Sequence, residues 1–332
     1  MRDLFSGTVI GITGSAGKTT LTNYLAHVLG AFGKSCASRG SANVPFGISW
    51  NLCGMDHAAA SWCVEMAIGN MALNTEIVRP HVAVVTNIAP AHLVYHETLK
   101  GIAIKKAQEK NLKTITFGEH KDADIRYDSL GNNKIKLLEN GKKMIMPFLS
   151  TDKRDIYNLM ATLAVIKALQ LDVDKSKERF YSFNAVAGRN KRHNIKTDQL
   201  SFLLIDDAYN ANPLSMKMAL TSLKNEPAKN KMLILGDMLE LGVDAEKYHK
   251  ALLPYIVDAQ ASCVILCGEM MKCLWQELRR TGHDKSIETL KWYKNAEEIT
   301  PDIDALLKDK DIVLIKASNS VGLHRVFTRF VS

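Results

Sequence analysis

The residues best equipped for chemistry lie in Gly11-Ile12-Thr13-Gly14-Ser15-Ala16-Gly17-Lys18-Thr19-Thr20. Glycines, a lysine and adjacent hydroxyls are the materials for holding a chain of phosphates. Backbone N–H groups in a tight loop and the positive end of a helix dipole converge on one anion. Lys18 would then reach the outer phosphates, and the Thr19 hydroxyl would help to hold Mg²⁺. The strict G-x-x-x-x-G-K-[ST] spacing asks for glycine where Ile12 stands, so a bare glycine-rich turn is the alternative. The neighbours favour the phosphate reading. A β-branched run, Thr8-Val9-Ile10, precedes the loop, and a helix-forming stretch, Leu21 to Leu29, follows it. ATP or a relative is the expected ligand, cradled by Gly14, Ser15, Ala16, Gly17, Lys18, Thr19 and Thr20.

The elements that must position this loop follow from patterning. Apolar runs read as strands at Thr8–Ile12, Ser61–Glu65, Val82–Thr86 and Lys113–Phe117, alternating with helical stretches. That alternation predicts a mostly parallel sheet covered by helices. Residues 124–148 read as a polar antiparallel meander, followed by helices over about 153–170 and 174–182. Val186-Ala187-Gly188-Arg189-Asn190 reads as a hinge. Beyond it a second series of strands runs Phe202–Asp206, Met232–Leu235, Cys263–Cys267, Thr289–Tyr293 and Ile312–Lys316. Five short apolar strands with crossover helices predict a second doubly wound α/β domain. The expected architecture is therefore α/β and two-lobed: an ATP-binding domain over 1–187 and a Rossmann-like domain over 188–332, with a cleft that closes on substrates.

A chain of 332 residues has room for about two such domains. A hydrophobic content of 46% with 23% charged residues is that of an ordinary globular protein. The net charge of +8 gathers in clusters such as Lys105-Lys106, Lys142-Lys143 and Arg189-Asn190-Lys191-Arg192. These lack interleaved aromatics, which argues against a nucleic-acid partner; an anionic nucleotide and a carboxylate substrate account for the sign. The six cysteines form no C-x-x-C pair, so reduced, buried thiols in a cytoplasmic protein are expected. No stretch reads as a leader or a membrane span.

Further motifs stand apart along the chain: Glu65-Met66, Thr86-Asn87-Ile88-Ala89-Pro90-Ala91-His92-Leu93, Gly188-Arg189, Asp206-Asp207-Ala208-Tyr209-Asn210-Ala211-Asn212-Pro213, Leu235-Gly236-Asp237-Met238-Leu239-Glu240-Leu241-Gly242 and Lys316-Ala317-Ser318. Together with the phosphate loop, whose Thr13–Thr20 form resolves the departure at Ile12, they resemble the Mur ligase family over nearly the whole chain. Within it the D-D-x-Y-N-A-N-P and L-G-D-M-x-E-L-G pair is most similar to the D-alanyl-D-alanine-adding branch. The resemblance implies an ATP-dependent amide ligase that phosphorylates a carboxylate to an acyl phosphate and lets an amine displace the phosphate, giving ADP and phosphate. Phosphoryl transfer needs positioning and charge neutralisation more than covalent help.

The resemblance also assigns roles. Glu65, just past a strand, would reach Mg²⁺ beside Thr19. His92 would ligate a second Mg²⁺, although on chemistry alone it reads as a loop histidine or a general base. Lys106 would be carbamoylated and bridge to that second ion, with neighbouring Lys105 one residue away and a surface lysine on a basic helix as the plain alternative. Arg189 would reach the γ-phosphate when the lobes close. Asn87, Asp207, Tyr209 and Asn212 join the nucleotide-binding set, Asp207 on the ribose. Asn210, Lys316 and Ser318 would lie near the incoming amine. Asp237, Glu240 and His249 read equally as a helix-capping acid, a solvated acid and a plain histidine.

The chain also departs from the family. Its phosphate loop begins almost at Met1, so the family's N-terminal UDP-sugar-binding domain is expected to be missing. The segment from Lys106 to Lys113 is short. Ala317, Asn319 and His324 stand where the family usually has Gly, Arg and Glu. The reading these departures favour is a small carboxylate joined to an amino acid or related amine in a specialised pathway. The alternatives are the peptidoglycan D-Ala-D-Ala-adding reaction with a partner protein supplying the missing domain, a non-catalytic ATP-binding partner subunit, or a plain P-loop kinase.

Overall fold

β1 (Thr8–Thr13) is apolar on both faces and buried along nearly its whole length, as a central parallel strand must be. A computed structural model describes residues 2–40, 42–87, 113–131, 134–139, 141–148, 150, 152–307 and 311–331. His92, Lys105 and Lys106 lie outside these residues. Two compact units are present, Met1–Phe183 and Asn184–Ser332.

In the first unit β1 pairs in parallel with β3 (Ser61–Glu65) and β4 (Val82–Val85), and β2 (Ser35–Ala37) adds to β3, giving the order β2-β3-β1-β4. Alternation along the strands divides the core. Ile10, Ile12 and Cys63 face a layer built from α1 (Lys18–Leu29) and from Ile156, Leu159, Met160 and Leu163 of a later helix. Val9, Trp62 and Val64 face the other way, onto Ile48 and Leu52 of α2 (Pro45–Gly54) and Val78 of α3 (Met71–Val78). On this second side Trp62 is fully buried and stacks on Phe5 at 3.7 Å with the rings almost parallel. Next come β5 (Ile125–Gly131), β6 (Lys134–Glu139) and β7 (Lys142–Pro147), an antiparallel three-stranded sheet, and then α4 (Lys153–Ala168), N-capped by Asp152.

The second unit opens on β8 (Lys191–Lys196), antiparallel to β9 (Ser201–Asp207). It continues through α5 (Pro213–Lys224), β10 (Lys231–Gly236), α6 (Ala245–Lys250), α7 (Leu253–Ala259), β11 (Cys263–Cys267), α8 (Glu269–Arg280), β12 (Thr289–Tyr293), α9 (Ile303–Leu307), β13 (Ile312–Lys316) and α10 (Thr328–Val331). The sheet order is β12-β11-β10-β13-β9-β8. The chain steps from β10 to β12 with α5, α7 and α8 on one face, then returns to insert β13 between β10 and β9 with α9 on the other. The carboxyl end of β13 is thus a topological switch point, where connections leave on opposite faces, the position at which open α/β sheets place their binding crevice.

The α/β architecture agrees with expectation, but several elements differ. Lys113–Phe117 is not a strand: only Phe117 bridges to Ile125, and the Asp124 carboxylate accepts from Thr116 N and Oγ1, taking up groups that a strand would pair. The segment expected as a helix over 174–182 is a 3₁₀ helix, Val173–Phe180. β2 and β8 were not legible, one being too short and the other too charged to show an apolar run. The six cysteines are free; Cys63, Cys263 and Cys267 are buried, whereas Cys53 is exposed on α2. Among the described residues no helix is long and apolar enough to cross a membrane.

Trp62→Ala would remove a fully buried ring and its stacking partner. Denaturant unfolding is expected to show a loss of about 3 to 5 kcal/mol, and a loss below 1 kcal/mol would mean that Phe5 and His57 collapse into the space.

Candidate active site

The loop leaving β1 is held largely by the residues that follow β4. Ser15 N donates to Asn87 O at 2.9 Å, Ala16 N donates to Asn87 Oδ1 at 2.9 Å, and Thr86 Oγ1 donates to Ala16 O at 2.7 Å. Gly14 has φ +137°, and a Cβ there would lie 2.1 Å from Thr86 Oγ1, so neither the backbone nor the space admits a side chain. Gly17, at φ +80°, starts α1 with no side-chain cap, so the N–H groups of the first turn point to the loop mouth as anion donors. Lys18 Nζ donates to Gly14 O at 2.9 Å, folded over the loop. Thr20 follows half-buried in the same turn. Asn87 therefore serves by shaping the loop, and Thr86, which sequence reasoning passed over as a site residue, shares that task.

Beside the loop lies a buried carboxylate. Register pairs Ile12 with Glu65, which puts the end of β3 against the exit of β1. Glu65 is 3% exposed. Its Oε2 accepts from Thr19 Oγ1 at 2.6 Å, its Oε1 accepts from Asn43 Nδ2 at 2.7 Å, and its N–H donates to Ser38 Oγ at 2.9 Å. Among the described residues both donors to the carboxylate are neutral. Neutral donors compensate a buried charge poorly, and a carboxylate next to a hydroxyl at a phosphate loop is a hard-oxygen donor set suited to Mg²⁺, which keeps waters and phosphate oxygens as its other ligands. The residues thus fit the ion. Asn43 was not read from the sequence as part of the site; nothing in its local pattern signals a partner 22 residues away.

In the second unit the predicted residues gather at the carboxyl ends of β9, β10 and β13. Lys316 Nζ donates to Asp207 Oδ2 at 2.8 Å and to Asn210 O at 3.0 Å. Asp206 accepts from Gly188 N at 2.9 Å and from Ala208 N, tying the segment before β8 to the turn after β9; nothing in the local sequence signals this partner 18 residues away. Gly188, at φ +70°, receives Tyr209 N on its carbonyl, and a Cβ there would lie 2.7 Å from Tyr209 Cβ. Arg189 stacks over the Tyr209 ring at 4.3 Å, a cation–π contact suited to a planar guanidinium. Asn212 caps α5, its Oδ1 accepting from Ser215 N at 2.9 Å.

A second knot joins β10 to β13. Ser318 N donates to Asp237 O, and Leu239 N donates to Ser318 Oγ at 3.0 Å. The Asp237 carboxylate caps α8 by accepting from Met270 N and Met271 N. Fully buried His249 sits beneath, its Nδ1 donating to Ala245 O at 2.7 Å and its Nε2 accepting from Met238 N at 2.9 Å. That pattern requires the neutral ring. Glu240 stands exposed at φ +64°.

Burial holds the His249 imidazole below its ordinary value of 6.5, opposed by the Ala245 carbonyl and by Asp237 4.0 Å away. With the folded value depressed, the unfolded chain binds the proton first. Stability is full above about pH 6.5 and falls as pH drops through it towards the folded value. Burial also lowers His27 and His193, so His249→Gln is expected to flatten part of the loss between pH 7 and 5 in urea unfolding. An unchanged slope would show that His249 does not contribute.

Comparison with known proteins gives this arrangement a family. The Mur ligase middle domain profile matches residues 12–108, and the profile described as Mur ligase, glutamate ligase domain matches residues 191–319. The UDP-N-acetylmuramoyl-tripeptide–D-alanyl-D-alanine ligase of Rickettsia prowazekii is 30% identical over 96% of this chain and 76% of its own length. The enzyme of that name from Bacillus subtilis is 26% identical over 96% and 74%. Two solved structures share the fold: MurF from Acinetobacter baumannii, with TM-score 0.80 at 21% identity over 99% of this chain and 78% of that one, and MurF from Thermotoga maritima in complex with ADP, with TM-score 0.79 at 23% identity over 99% and 81%. With its phosphate loop, its Thr19–Glu65 pair and a relative matched along three quarters of its length, the chain belongs to the Mur ligase family and is an ATP-dependent amide-bond ligase.

Proposed function

We propose that the chain joins the terminal carboxylate of a muramoyl-peptide-type acceptor to the amine of D-alanyl-D-alanine through an acyl phosphate. The observation that carries the chemistry is the buried Thr19–Glu65 pair beside the phosphate loop. The substrate class is supported by relatives named for that reaction, which align with 96% to 100% of this chain.

The loop amides and Lys18 would hold the β- and γ-phosphates while a carboxylate oxygen attacks the γ-phosphorus. An O–P bond forms, the bond to the β-phosphate oxygen breaks, and ADP leaves. The amine then adds to the acyl carbon, the tetrahedral intermediate expels phosphate, and the amine proton passes to solvent. Thr19 and Glu65 would hold Mg²⁺, which when bound supplies charge neutralisation at the phosphate oxygens. His92 and a carbamoylated Lys106 as holders of a second ion, and Arg189 as a γ-phosphate donor, belong to the same proposal. So do Asp207, Tyr209 and Asn212 on the nucleotide side, and Asn210 and Ser318 on the amine side.

A second reading keeps the chemistry and changes the substrates to a small carboxylate and another amine. Its support is the altered motif after β13. Ala317 does not strengthen it, because its methyl is fully buried and a Cβ on Gly236 would lie 2.7 Å from it, which places the change in the packing. Asn319 is exposed and His324 is half-buried, and these are the departures on which an altered amine preference would rest.

Phosphate release and product mass, measured with ATP, Mg²⁺, UDP-N-acetylmuramoyl-tripeptide and D-alanyl-D-alanine, test the proposal. Condensation with loss of one water is expected, with Lys18→Ala lowering kcat on the order of 100-fold or more. Turnover only with other acid–amine pairs would favour the second reading. In Glu65→Gln the Mg²⁺ concentration giving half-maximal rate is expected to rise about tenfold or more; an unchanged requirement would remove Glu65 from the metal.

A further inference from the structure

Lys316 ends β13 with its side chain 2% exposed, a degree of burial that lysine almost never reaches without partners. Two of its partners belong to one turn. Its Nζ donates to Asp207 Oδ2 at 2.8 Å and to Asn210 O at 3.0 Å. Lys316 and Asp207 are register neighbours on adjacent parallel strands, so the backbone sets the spacing of the ion pair. The Asn210 carbonyl lies three residues farther along the turn, and Asn212 then locks the turn onto α5 through Ser215 N. Asp207, Asn210 and Asn212 thus fix the turn at three points, two of them through one ammonium. An incoming amine is drawn to oxygen acceptors, not to a buried cation whose bonds already run to a carboxylate and a carbonyl.

We infer that Lys316 is a positioning residue for the nucleotide-facing turn between β9 and α5, acting through Asp207 and Asn210, and not a contact for the amine substrate. The inference rests on the proposed reading in which Asp207 holds the nucleotide. Neutralising Lys316 takes the ammonium from the buried Asp207 carboxylate and releases the Asn210 carbonyl. The turn then shifts, and the nucleotide senses the change before the amine does.

The test uses the full chain with Lys316→Met and Lys316→Arg. ADP with Mg²⁺ is titrated into each variant, KM is measured for ATP and for D-alanyl-D-alanine, and thermal midpoints are recorded. Lys316→Met is expected to weaken ADP about tenfold or more and to raise KM for ATP, with KM for the dipeptide within about twofold of wild type. Lys316→Arg, which keeps the charge in another shape, is expected to fall between the two. A raised dipeptide KM with unchanged ADP affinity overturns the inference. So does a lowered thermal midpoint with unchanged ADP affinity, which marks a purely structural pair. If Lys316→Met does not fold, the same comparison on Lys316→Arg decides. Should wild type make no product with the dipeptide, the substrate reading fails, while the ADP titration still decides the role of Lys316.

Discussion

Much of the first unit is arranged around a carboxylate that cannot be left alone. Glu65 is buried at the exit of β1; its carboxylate accepts from the first turn of α1 and from the segment leading into α2, and its backbone N–H donates to Ser38 after β2. Burying a charge among neutral donors is unfavourable unless something compensates. At a phosphate loop the natural compensation is a divalent cation and its phosphate ligands. The parallel register of β1 and β3 supplies the geometry. Slipping that register by one residue would turn Glu65 to the opposite face of the sheet and bring Val64 or Met66 to its place.

The second unit solves a related problem with protein groups. Its open sheet reverses direction at β13, and the loops leaving β9, β10 and β13 converge at that point. Lys316 and Asp207 neutralise each other there. Asp237 is satisfied by the amino end of α8, and His249 stays neutral because both ring nitrogens have fixed backbone partners. Short strands thereby end in loops whose backbone is already committed, which favours a preorganised edge over an adaptable one.

This arrangement bears on how the family's chemistry is carried in this chain. Asp207, Tyr209 and Asn212 sit in tightly bonded settings. Of the departures after β13, Ala317 is absorbed into the packing against Gly236, and Asn319 faces solvent. Several residues first singled out as ligands prove to have structural partners as well. Asn212 caps a helix, Asn87 shapes the phosphate loop, and Ser318 ties β13 to β10. A polar residue in a motif can serve the ligand by serving the backbone that meets it.

What the sequence determined by itself was the local chemistry: the phosphate loop between strand and helix, the alternating strands, and the separated motifs that mark the family. These are readable because each depends on neighbours in the chain, through periodicity, glycine conformation and spacing. The short β2 and the charged β8 escaped notice because their pairing, not their composition, makes them strands. Lys113–Phe117 was misread because the Asp124 carboxylate captured Thr116. Only the tertiary structure decided that Asn43 reaches Glu65, that Thr86 closes on Gly14, that Asp206 anchors Gly188, and that Lys316 turns to Asp207. Each of these joins residues far apart in sequence, and burial selects the partner, because a polar group taken out of water must find one within about 3 Å wherever the fold happens to bring it.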